Sequence, residues 1–107
     1  MMTDLMAVAA ELADQARNQT SGRAARSVLH GDRLRAVLVA LAEGGALADH
    51  AAPGPACLQV LAGELELRCG GEALVLAAGE LTPVPEGVHS VHARGQCAFL
   101  LTISLPG

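Results

Sequence analysis

Four histidines and three cysteines carry most of the reactive chemistry in this chain, which contains no lysine, tyrosine or tryptophan. His50 stands just before an Ala-Ala-Pro-Gly-Pro turn, and His89 and His92 follow a Pro-Glu-Gly turn. Two imidazoles placed by rigid turns suit either of two tasks. They can hydrogen-bond a small ligand inside an otherwise apolar pocket, or they can supply part of a divalent metal site. An open catalytic metal site uses about three fixed protein ligands and leaves positions for water or substrate. His92 does not readily complete such a set. Side chains alternate across a strand, so if His89 faces inward, His92 faces outward. A bulge would change that facing. His30 precedes Gly31-Asp32 and reads as a strand-end residue. Cys57, Cys69 and Cys97 are odd in number and lack metal-type spacing. They read as small buried apolar groups and fit a reducing, cytoplasmic setting.

The elements that must position these residues follow from periodicity. Leu5, Val8, Leu12 and Ala16 recur at helical spacing, which predicts a helix from about Thr3, as N-cap, to Arg17. Asn18 to Gly22 is a polar break. Beyond it the pattern shifts to short strands between glycine turns. They are expected at 24–30, 33–41, 46–50, 57–61, 64–69, 73–76, 81–84, 88–93 and 97–105, the last two joined around Arg94-Gly95-Gln96. The segment RLRAVLVAL at 33–41 is apolar on both faces in its second half, so both faces must be covered. Even spacing of short strands predicts an all-β sandwich or barrel. Residues 1–22 form the helix and break, and 23–107 the barrel, as parts of one domain.

Composition narrows the function. The 107 residues are 51% hydrophobic and 17% charged, with one aromatic residue, Phe99, and a formal charge of −4. An acidic domain without stacking aromatics does not suit nucleic acid. The anionic polar face of the helix (Asp4, Glu11, Asp14) does not suit a membrane surface. No apolar run approaches the ~20 residues of a membrane span, and the N-terminus lacks the features of a signal peptide. Five arginines between Arg17 and Arg35 read as solvated surface. The aliphatic excess in so small a domain predicts a homodimer.

Two stretches resemble the signature motifs of the cupin family. In the first motif, G-x5-H-x-H-x3-E-x6-G, Gly44, His50 and Gly63 match without a gap, while Ala52 and Ala56 occupy the second histidine and glutamate positions. In the second, G-x5-P-x-G-x2-H, Gly79, Pro85 and Gly87 match, and the histidine arrives one residue early as His89. The chain is similar to small single-domain bacterial cupins of the RmlC-like type over residues 34–104. The resemblance implies a double-stranded β-helix, or jelly-roll barrel, with one N-terminal helix. It implies a site at the barrel mouth, with His50 and His89 as polar groups and Leu58, Val60 and Val91 lining the interior. The expected function is small-molecule binding. One alternative is a metal-dependent oxygenase or isomerase, with His50 and His89 holding a divalent transition metal. Another is a structural or regulatory dimer without a ligand. A metal-free epimerase of the family's usual kind would need a tyrosine acid, which the chain lacks. Fold resemblance alone does not assign an activity.

Overall fold

The computed structural model describes residues 2–106. Met1 and Gly107, the outer ends of the two segments named above, lie outside the described residues. One helix, α1 (Leu5–Arg17), precedes seven strands: β1 (Arg23–His30), β2 (Leu34–Leu41), β3 (Ala46–His50), β4 (Ala56–Cys69), β5 (Glu72–Ala77), β6 (Leu81–Pro83) and β7 (His89–Ser104). The helix starts one residue later than the spacing suggests. Asp4 is the N-cap and its carboxylate accepts the Ala7 amide at 3.1 Å, because a carboxylate also meets the positive end of the helix dipole.

The architecture grows from the antiparallel pair β4–β7, which runs from Ala56↔Ile103 to Cys69↔His89. The second half of β7 pairs with β2, which pairs with β1, and the first half of β4 pairs with β6. The first half of β7 pairs with β3, and the second half of β4 pairs with β5. Two sheets therefore share one bent ribbon and close over a common interior. This is the all-β jelly roll with one helix that the motifs imply.

The bend changes two sequence expectations. Residues 57–61 and 64–69 belong to one strand, and so do 88–93 and 97–105. Gly63 and Arg94-Gly95-Gln96 interrupt the register without reversing the chain. Both long strands turn the corner together, so the ladder continues across it. Gly63 has φ +73°, and a Cβ there would collide with the Gln96 carbonyl oxygen. Only glycine combines that conformation with so close an approach. Gly70 (φ +58°) and Gly71 (φ +83°) form the two-residue turn between β4 and β5, as a primed hairpin turn requires.

Two apolar cores result. Between the sheets lie Val39, Leu41, Leu58, Val60, Leu65, Leu67, Leu76, Val91, Cys97, Phe99 and Leu101. Outside the larger sheet, Leu38, Ala40 and Ala98 pack beneath Ala9, Leu12 and Ala16 of α1. The doubly apolar strand β2 is thus covered by barrel interior on one face and helix on the other. Arg26 of β1 reaches Glu11 of α1 at 2.9 Å. Each fully buried leucine or phenylalanine contributes about 1.5–3 kcal/mol, and Phe99, Leu12, Leu38, Leu41, Leu58 and Leu65 are of this kind. Among the described residues no helix is long and apolar enough to cross a membrane.

Candidate functional site

His50 and His89 meet at one end of the barrel. They are register partners across β3 and β7. Their ring centroids lie 4.3 Å apart with planes at 61°, an edge-to-face contact. Strict alternation would forbid this meeting. Leu47, which packs on the inner core, opposes Val91, and His50 opposes His89. β3 therefore advances three residues while β7 retreats two. The additional residue is a bulge at Ala48–Asp49, and it turns His50 to the inner face. The irregularity at this end of the β3–β7 pair lies in β3 and not in β7.

Backbone carbonyls fix both rings. His50 Nδ1 lies 2.8 Å from the Ala48 carbonyl within the bulge, and His89 Nδ1 lies 3.3 Å from the Gly87 carbonyl. A carbonyl only accepts, so each Nδ1 carries the proton and donates. Each Nε2 is left with a free lone pair. Histidines that bind a metal or a hydrogen-bonding ligand have their tautomer set in this way. His89 is only 3% exposed. Burial pulls its pKa below 6.5, the Gly87 hydrogen bond opposes that shift, and the neighbouring His50 lowers it further. The site therefore presents a neutral imidazole at neutral pH.

The other expected residues divide clearly. Leu58, Val60 and Val91 face inward at 0, 0 and 1% exposure, packed within the core between the sheets. The interior at their level is filled by protein side chains, and space for a ligand begins at the mouth. A cleft of about 400 Å³ lies between the Ala52–Ala56 turn and Pro83–Gly87, beside the loop that anchors His89. His92 faces outward, bonded through Nε2 to Ser90 Oγ at 3.1 Å. His30 ends β1 and contacts Ser27. Cys97 is buried, and desolvation pushes its thiol up to about 11.

Sequence reasoning overlooked Cys69. It pairs with His89 across β4 and β7, and its thiol contacts the Glu86 carbonyl at 3.9 Å. Only the strand register reveals this neighbour, and no local pattern encodes it.

The donor set does not fit the metal centre implied by the cupin motifs. The second histidine and glutamate positions are Ala52 and Ala56, which have no lone pairs to offer. Among the described residues no group of three or more His, Cys, Asp or Glu side chains converges. Two imidazoles fall short of the usual three protein ligands.

No protein-family model and no curated protein matches the chain. Solved structures do. A cupin superfamily protein from Desulfitobacterium hafniense DCB-2 superposes with a TM-score of 0.76 at 17% identity, over 82% of each chain. A conserved protein of unknown function from Streptococcus pyogenes also gives a TM-score of 0.76, at 21% identity, over 100% of this chain and 89% of that one. An RmlC-like cupin from Shewanella frigidimarina NCIMB 400 gives 0.72 at 24% identity, over 80% of this chain and 78% of that one. The chain is a small domain with the cupin fold.

Proposed function

We propose that this cupin barrel binds a small molecule at its mouth, with His50 and His89 as the polar recognition pair. The observation that carries the reading is the tautomer lock. Two adjacent imidazoles each hold the proton on Nδ1 and keep an unshared pair on Nε2. An unshared pair on each ring accepts a hydrogen bond, so the pair favours a ligand with hydroxyl, amide or ammonium donors. The aliphatic and proline lining nearby suits the apolar remainder of such a ligand.

The test is a fragment screen by ligand-observed NMR on the wild-type chain, His50→Ala and His89→Ala. Hits carrying donor groups should shift the imidazole Cε1–H resonances of both histidines, and each variant should lose the same hits. Hits retained by both variants would remove the pair from the site. A divalent metal on His50 and His89 is the competing outcome. Elemental analysis decides it: one tightly held equivalent that disappears in His50→Ala would replace the small-molecule reading.

The reading includes a second copy of the chain as partner. Leu74, Val75, Leu81 and Val88 are exposed around β5, β6 and the following turn, and β5 ends the strand order as an edge. Exposed aliphatic groups and an open edge favour self-association.

A further inference from the structure

The outer wall of the smaller sheet carries a groove of about 840 Å³ that is separate from the barrel mouth. Asp49, Glu66, Arg68, Glu72, Ser90 and His92 line it. Ser90 and His92 lie two apart on β7 and face away from His89 and Val91. Ser90 is 6% exposed, and its Oγ lies 3.1 Å from His92 Nε2. In the β4–β7 register Arg68 stands opposite Ser90 and Glu66 opposite His92, and Glu66 is ion-paired with Arg68.

We propose that Ser90 and His92 form a nucleophile–base pair that accepts an acyl group from esters of neutral or positive charge. A serine hydroxyl is a weak nucleophile until a base lies within hydrogen-bond reach, about 2.6–3.2 Å, and the base is oriented by a third group. The Ser90–His92 distance meets the first condition. Glu66 stands opposite His92 in the strand register and supplies a nearby negative charge: its hydrogen bond from Arg68 holds it ionised, with Arg94 and His92 adding smaller attractions. Its negative charge favours the imidazolium that His92 becomes during the reaction. The Gly70–Gly71 turn borders the same groove, and nothing lies within 4 Å of where a Cβ would stand on either residue.

The step balances without any other reactant than water. Ser90 Oγ bonds to the ester carbonyl carbon while its proton passes to His92 Nε2. The bond from that carbon to the alkoxy oxygen breaks, and the proton on Nε2 goes to the departing oxygen, releasing an alcohol. Water then gives a proton to the same nitrogen and attacks the acyl carbon. The acyl–serine bond breaks, Ser90 recovers its proton, and a carboxylic acid leaves. Three carboxylates, Asp49, Glu66 and Glu72, face one guanidinium, Arg68, so anionic esters are disfavoured.

The test is intact-mass analysis and peptide mapping of the full chain after exposure to p-nitrophenyl acetate and to a fluorophosphonate. The expected result is one adduct on Ser90 with each reagent and none in Ser90→Ala. His92→Ala should slow the adduct about a hundredfold, a typical loss for a missing general base. Charged groups lining the groove with His92 are Glu66 and Arg68 on β4, Asp49 on β3 and Glu72 on β5, and Arg94, two residues on along β7, is ion-paired with Glu64. Glu66→Gln removes the carboxylate opposite His92 in the register, so acylation should slow while the adduct stays on Ser90. Absence of an adduct, adducts confined to other residues, or an unchanged rate in His92→Ala would overturn the proposal.

Discussion

A positive charge on His89 is disfavoured where the ring sits, and this gives the residue a measurable effect on stability. Burial, and then the neighbouring His50, hold its folded pKa below 6.5. As pH falls, the unfolded chain binds that proton first. The stability that depends on neutral His89 is therefore complete above about pH 6.5 and is lost as pH falls through the folded pKa. The urea midpoint of the wild-type chain should drop between about pH 7.5 and pH 5, and His89→Gln should flatten that dependence. An equal slope in both proteins would mean that His89 is not the titrating group. Glu66 does not confuse the reading, because Arg68 holds its carboxyl below 4.5, beneath this window.

At the scale of elements, the corner of the β4–β7 ribbon is the feature most sensitive to a single methyl group. Gly63→Ala must accept a left-handed backbone and also displace the Gln96 carbonyl. Gly70→Ala meets nothing within 4 Å and accepts only the backbone penalty, about 1–2 kcal/mol. Chemical denaturation should therefore rank Gly63→Ala well below Gly70→Ala in stability, and equal losses would show that the corner relaxes freely. The same corner marks how far the sequence is legible. Leu5, Val8, Leu12 and Ala16 announce α1, and the alternation of Leu65 and Leu67 with Glu64, Glu66 and Arg68 announces a half-wet strand. Glycine at 63 and 95 looks like a chain reversal because the residue suited to a tight turn is also suited to a bent strand. His50 and His89 are legible from motif spacing. Cys69 beside His89, and Glu66 opposite His92, are not, since pairing register is set by contacts between distant segments.

The whole molecule is two cores sharing β2, one inside the barrel and one beneath α1. The helix removes one broad apolar face from solvent, yet Leu29 and Leu34 near one end of the strand order and Leu74 and Val75 on β5 at the other remain 43–50% exposed. The chain should sediment as a dimer at micromolar concentration. Charged substitution at Leu74 and Val75 should shift it toward monomer if the β5 end forms the contact. A clean monomer in the wild type would exclude the second copy as partner.

The bulge at Ala48–Asp49 makes the histidine pair a matter of counting as well as of chemistry. Three residues carry β3 from Leu47 to His50 while two carry β7 from Val91 back to His89, and the bulge absorbs the remainder as a leap day absorbs a calendar's. Deleting Asp49 would leave the histidine two residues after Leu47, on the inner face by plain alternation, whereas deleting Ser90 would leave His89 one residue before Val91 and turn it to the outer wall. The facing of the pair is therefore set by the count inside each strand, from Leu47 to His50 and from His89 to Val91, and the lengths of the loops outside those segments do not enter it.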